Sequence, residues 1–224
     1  MTIWFASGNK HKKKELAAIL SMDSISENTV SESGPLPGWE LKIPTDASFE
    51  FEPEETGNSF LENALIKAKE LYRIIKDAHS VVIADDSGIC VDALDGRPGV
   101  HSARYCGAGV NPTSGKKLPD AERNAMLLAE LGENPKRSAR FVCAMVLYLG
   151  PDRFFVAQET LEGELVKSAE SSRGEGGFGY DPILFIPDLG RTVAELSDEE
   201  KNRISHRGKA GRAIAKILDG IIGT

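Results

Sequence analysis

The chain has 224 residues, 41% of them hydrophobic and 27% charged, with a formal net charge of −7. That composition suits one large domain or two lobes on a shared core, and it excludes a disordered or fibrous chain. A net acidic chain lacks the extended basic face of a nucleic-acid footprint, whereas a small anionic ligand needs only a local basic patch or a bound cation.

In chain order, residues 2–6 read as a short buried strand, Ser7-Gly8-Asn9 as a turn, and Lys10 to about Met22 as a helix with Leu16, Ile19 and Leu20 on one face. Residues 23–55 are polar, a long connection with strand character around Trp39–Ile43. Ser59 and Glu62 have capping-box spacing and open a helix whose stripe is Leu61, Leu65, Ala68, Tyr72 and Ile75, running to about Asp77. The run VVIA (81–84) is a second buried strand that ends in DDSG, and 96–119 is rich in Gly and Pro and reads as loop. Residues 120–131 are helical, and 139–149 and 153–167 form a hairpin about Gly150-Pro151-Asp152. A Gly-rich loop (173–182) leads into a strand at 183–186. Ser197 and Glu200 cap a final helix that reaches about Ile222, with a break expected at 206–208 because Gly208 and Gly211 weaken it. The expected fold is α/β, with a mixed sheet and two lobes around a cleft.

Cys90, Cys106 and Cys143 fit neither a C-x-x-C site nor a disulfide framework, which points to thiols in a reducing compartment. The apolar start is too short for a signal peptide, and no apolar run approaches the ~18 residues of a membrane span. A cytoplasmic protein with neither membrane nor nucleic-acid partner is expected.

Five segments carry chemistry. Ser7, Gly8, Asn9, Lys10, His11 and Lys12 lie where a strand feeds a helix, a place that favours an anion. The same loop also reads as a plain helix start with a solvated lysine run. Asp85 and Asp86, at the end of an apolar strand, are costly to bury without a divalent cation, and neighbouring side chains there face opposite sides, unless the pair is an Asp turn capping a helix or loop. Glu54 and Glu55 either supply a second metal ligand or complement the dipole of the following helix. In Phe178-Gly179-Tyr180-Asp181 the two aromatics offer faces for stacking a base and the acid an acceptor for a base edge, unless the rings belong to the core. Lys201, Arg203, His206, Arg207 and Lys209 come from the capped helix and its break, where His206 and Arg207 could converge on one polar ligand.

With S-G-N-x-x-K, A-D-D-S-G, G-x-P-G-V-H-S-A-R-Y, G-G-F-G-Y-D-P and S-H-R-G in this order, the chain resembles the inosine/xanthosine triphosphate pyrophosphatases, a family that clears non-standard purine nucleotides. The resemblance spans Phe5 to about Leu218. It implies one domain over 1–224, with an elongated mixed central sheet flanked by helices and two lobes around a nucleotide-binding cleft. It also implies a homodimer that hydrolyses ITP, dITP and XTP to the monophosphate and pyrophosphate with Mg²⁺. Asp86 matches the family's proton acceptor and metal ligand, and Glu54 is favoured over Glu55 as the second metal ligand. Ser7 to Lys12 match the triphosphate loop and Ser87 a further substrate contact. Phe178, Gly179, Tyr180, Asp181, Lys201, His206 and Arg207 match the nucleotide-binding positions. The segment 23–52 looks longer than in bacterial-type members. The competing readings are a Maf-like pyrophosphatase acting on modified pyrimidines, a non-catalytic nucleotide-binding module, and a purely structural protein.

Overall fold

The computed structural model describes residues 2–22, 40–77, 79–107 and 118–222. Most of the long polar connection, including Trp39, lies outside the described residues. The elements are β1 (Thr2–Phe5), α1 (Lys10–Met22), β2 (Glu40–Lys42), α2 (Phe60–Ile75), β3 (Val81–Val91), α3 (Asp120–Leu131), β4 (Ser138–Gly150), β5 (Arg153–Leu165), β6 (Leu184–Ile186), β7 (Arg191–Thr192), α4 (Asp198–Ile204) and α5 (His206–Ile222).

The strands form one seven-stranded sheet in the order β2-β1-β3-β4-β5-β6-β7. β1 pairs parallel with β2 and β3, whereas β6 pairs antiparallel with β5 and β7, so the sheet is mixed as expected. Among the described residues no helix is long and apolar enough to cross a membrane. The chain divides into two compact units, with the boundary falling inside three strands: between Asp86 and Ser87, Val142 and Cys143, and Glu159 and Thr160.

In the first unit, strand alternation sorts the core into two layers. Ile3, Phe5, Val81, Ile83, Cys143, Met145 and Leu147 pack with Leu16 and Leu20 of α1 and Ala210, Ile214 and Leu218 of α5. Their neighbours Trp4, Ala6, Val82, Ala84, Val146 and Tyr148 pack with Ala64, Ala68 and Leu71 of α2. Gly211 does not interrupt α5; a Cβ there would lie 2.7 Å from Ile19 Cγ2, so the missing side chain lets α5 close on α1. In the second unit, Leu127, Leu128 and Leu131 of α3 share a core with Ile89, Val91, Phe141, Leu161, Tyr180 and Ile183.

Two expectations are corrected. β3 does not stop at Ala84 but continues through DDSG to Val91, so the acid pair lies within a strand. The buried stripe of α2 is Phe60, Asn63, Ala64, Lys67, Ala68 and Leu71, rotated from the one expected because Asn63 and Lys67 turn inward to a polar partner on β3. The break expected near 206–208 falls at Ser205, between α4 and α5, and Gly208 and Gly211 lie inside α5.

The Ser197–Glu200 box forms in full, with Ser197 Oγ accepting from Glu200 N at 3.1 Å and Glu200 Oε2 accepting from Ser197 N at 2.9 Å. Hydrogen bonds from Arg191 and from the Ser197 backbone pull the Glu200 pKa down from 4.5 to about 2. Because the folded pKa is the lower one, this contribution is complete above 4.5 and is lost as pH falls through about 2. Urea midpoints measured across that window should therefore fall less steeply in Glu200→Gln than in the parent, by a small margin, since the side chain is 44% exposed.

Candidate functional site

Asp85 and Asp86 are consecutive on β3, so alternation sends them to opposite faces of the sheet. Asp85 follows Ile83 into the layer of α1 and α5, and its side chain has no exposed surface. Lys12 Nζ donates to both of its oxygens, at 3.1 and 3.0 Å. Arg207, in the first turn of α5, donates Nε and Nη2 to Oδ2, each at 3.1 Å, and Nη1 to Glu15 at 2.7 Å. Burial alone would raise the Asp85 pKa, but Lys12 and Arg207 outweigh it and hold the carboxylate well below the usual range.

Asp86 follows Ala84 into the layer of α2 and keeps 11% of its side-chain surface. Asn63 Nδ2 donates to Oδ2 and Lys67 Nζ to Oδ1, both at 3.1 Å. Lys67 also donates to Glu55 Oε1 at 2.9 Å. Burial raises the Asp86 pKa; Lys67 opposes this and Glu55 adds to it. Burial would depress Lys67, but Asp86, Asp85 and Glu55 outweigh it and keep the ammonium charged. Asn63 is oriented by Gly57, whose N–H donates to Oδ1 at 2.8 Å. A Cβ on Gly57 would lie 2.7 Å from that same oxygen, so only glycine lets the chain come this close to α2.

Two carboxylates, Asp86 and Glu55, thus converge on one buried cation. Among the described residues no three His, Cys, Asp or Glu side chains gather into a metal cage. Mg²⁺ does not require one: it takes one or two carboxylates and fills its octahedron with water and phosphate oxygens. This donor set fits that ion. Glu54, the expected ligand, is exposed, whereas Glu55 is the glutamate linked through Lys67 to Asp86.

The loop before α1 is tightly built. Ser7 Oγ accepts from Asn9 N at 3.1 Å, and Asn9 Oδ1 accepts from His11 N at 2.9 Å and Lys12 N at 3.3 Å. Asn9 therefore caps the helix with two of the amides expected to face an anion. Gly8 is exposed and nothing lies within 4 Å of where its Cβ would stand, so its backbone is open to a ligand. Lys10 and His11 are exposed, while Lys13 pairs with Asp46 at 2.5 Å.

The second unit holds the other group. Asp181 is buried, and its Oδ2 accepts from Phe178 N and from Lys201 Nζ, both at 2.8 Å. The Lys201 ammonium also lies 4.6 Å from the centroid of the Phe178 ring. Gly177 has φ +73, and a Cβ there would come within 2.1 Å of Asp181 Oδ2. Tyr180 is a core residue rather than an open stacking face: its hydroxyl donates to Ser102 O at 2.8 Å, and burial pushes its pKa up to about 12. Phe178 is half-buried and remains the loop's stacking candidate. Ser87 is half-buried, and His206 is buried in the first turn of α5. Arg207 is committed to Asp85 and Glu15 in the first unit.

The family model of the Ham1 family matches residues 3–217. A dITP/XTP pyrophosphatase of Treponema denticola is 44% identical over 220 residues, covering 98% of this chain and 100% of its own length. The chain belongs to the Ham1 family. A dITP/XTP pyrophosphatase of Bacillus subtilis is 40% identical over 184 residues, 81% of this chain and 86% of that one. Among solved structures, the Staphylococcus aureus Ham1 protein has a TM-score of 0.77 at 34% identity, covering 99% of this chain and 100% of its own.

Sequence reasoning missed Asn63 and Lys67 in this Ham1-family chain, although a signal was there: two polar residues at i and i+4 inside an otherwise apolar helical stripe. It also missed Glu15, whose acidic side chain in a lysine run anticipates a buried arginine. Removing Arg207 would leave Asp85 buried and under-compensated. Arg207→Ala should cost about 3–5 kcal/mol in urea unfolding, and Arg203→Ala, an exposed pair with Glu199, less than about 1 kcal/mol.

Proposed function

We propose that this chain hydrolyses deaminated purine nucleoside triphosphates, dITP, ITP and XTP, to the monophosphate and pyrophosphate. The observation that carries the reading is Asp86: a carboxylate in a mostly buried site, its pKa raised by burial, held on both oxygens by Asn63 and Lys67. The naming of Ham1-family relatives as dITP/XTP pyrophosphatases over nearly the whole chain supports the substrate class.

Asp86 together with the Glu54-Glu55 pair would hold Mg²⁺, which when bound neutralises phosphate charge and fixes the triphosphate for in-line attack. Asp86 orients a water and takes its proton, a role that suits a carboxylate of raised pKa. The water oxygen bonds to phosphorus as the bond to the α,β-bridging oxygen breaks. Lys12 and the open backbone at Gly8 bind the departing pyrophosphate. Asp85 does not react; paired with Lys12 and Arg207, it keeps both cations in place. In the second unit, Phe178 stacks on the base and Lys201 donates to its polar edge. Thiols outside any disulfide suit a reducing, cytoplasmic setting.

A homodimer finds support on β5, where Phe154, Phe155 and Val156 are 41%, 39% and 40% exposed. The ladder to β6 takes in Glu164 and Leu165, so among the described residues the start of β5 has an apolar edge with no strand on that side. Phe155→Glu should shift sedimentation from dimer to monomer; a parent that sediments as a monomer would remove the dimer from this reading.

Pyrophosphate release from dITP, ITP, XTP, GTP and ATP, with Mg²⁺ and with EDTA, tests the activity. The inosine and xanthosine substrates should exceed ATP by about 10²-fold or more, EDTA should abolish turnover, and Asp86→Asn should lower kcat by about 10²-fold or more. Release of orthophosphate in place of pyrophosphate, or full activity in Asp86→Asn, would sink the mechanism.

A further inference from the structure

Gly179 differs from its neighbours in the Gly-rich loop. A Cβ on Gly174 or Gly176 would strike Ala194, and one on Gly177 would strike Asp181. At Gly179, with φ +67, nothing lies within 4 Å of that position. Glycine is held here by backbone conformation and not by crowding, and the open face is where a flat ligand can lie against the chain.

Both polar groups of this residue are taken by one helix. Gly179 N–H donates to Asp120 Oδ2 at 2.5 Å, and Gly179 C=O accepts from Asn124 Nδ2 at 3.1 Å. Asp120 and Asn124 stand at i and i+4 of α3, on one helix face. Asp120 is itself fixed, since its other carboxylate oxygen is bonded by Arg123. The Arg123 guanidinium donates to Leu118 O at 2.7 Å and lies 6.0 Å from the Tyr180 ring centroid. Asn124 is buried, and among the described residues its Oδ1 has no hydrogen-bond partner, so the Gly179 contact is the bond that orients it.

We infer that Asp120 and Asn124 are positioning residues for base specificity: α3 grips the Gly179 peptide from both ends and sets the attitude of Phe178 and of the open backbone face that receives the purine. The inference rests on the reading that this loop binds the base. Neither side chain touches the reacting atoms. A loop held in its bound shape spares the ordering that binding would otherwise require, so the effect belongs in substrate binding and selectivity.

The test uses the full chain carrying Asp120→Ala, Asn124→Ala, Asn124→Asp and Asp120→Asn. The amide of Asp120→Asn still offers an oxygen to Gly179 N–H, whereas Asn124→Asp replaces the donor with an acceptor. KM and kcat are measured on ITP and GTP, together with native-state hydrogen exchange at the Gly179 amide. Asp120→Ala and both Asn124 variants should raise KM for ITP about tenfold, leave kcat within about twofold, and narrow the ITP-to-GTP ratio. Asp120→Asn should keep KM within about threefold of the parent, and Gly179 should exchange faster in Asp120→Ala. Unchanged KM and selectivity in all variants would overturn the inference. So would a loss of specific activity that tracks the unfolded fraction at constant KM, the signature of a purely structural role. A parent that releases no pyrophosphate from any purine triphosphate defeats the proposed function and the specificity role with it, while the exchange rates still decide whether α3 grips the loop.

Discussion

Two adjacent carboxylates inside a buried strand must be neutralised from opposite sides of the sheet, and much of the first unit is arranged to do so. Burying an ionised carboxylate costs several kcal/mol unless it is paired and hydrogen-bonded. Because consecutive side chains on β3 alternate, one counter-charge set cannot serve both. Lys12 and Arg207 therefore come from α1 and α5 on one face, and Lys67 with Asn63 from α2 on the other. The outcome is chemical asymmetry from near-identical residues: Asp85 is held ionised and fixed, while Asp86 keeps a raised pKa and some exposure. The two carboxylates are thus set apart by their partners: one is locked in an ion-pair network and the other keeps some access to solvent.

The second unit solves a different problem. A glycine-rich loop is flexible by composition, and the base contact proposed for it needs a fixed surface. Here α4 contributes Lys201 to Asp181 and Phe178, and α3 contributes Asp120 and Asn124 to Gly179. Buried charge is again the fastener, since Asp181 gathers an ammonium and a backbone N–H on a single oxygen.

Much of this was legible in the sequence, and what was not has physical causes. Periodicity located α1 and α3, the β4–β5 hairpin and the capped start of α4, because these are local signals. That Asp85 and Asp86 face opposite sides also followed from strand alternation. Partners did not: Lys12 and Asp85 are 73 residues apart, and Arg207 and Asp85 are 122 apart. Hydrophobicity alone turns the Leu61–Leu65 stripe of α2 inward, whereas Asn63 and Lys67 are the residues that point inward to meet Asp86. β3 ran further than expected because charges normally end a buried strand, and here they are compensated. Tyr180 could not be told from a stacking residue without seeing its hydroxyl on Ser102.

Gly211 shows how far the site's tolerances reach. Arg207 and Gly211 are one helical turn apart on α5, and the glycine allows that helix to rest against Ile19. A single methyl group there would have to push α5 outward or displace Ile19, and the guanidinium holding Asp85 rides on the same rigid rod. The sequence freedom of this chain is thus limited by a hydrogen atom in the hydrophobic layer: drift at a residue with no polar function would be felt at the Asp85 ion pair.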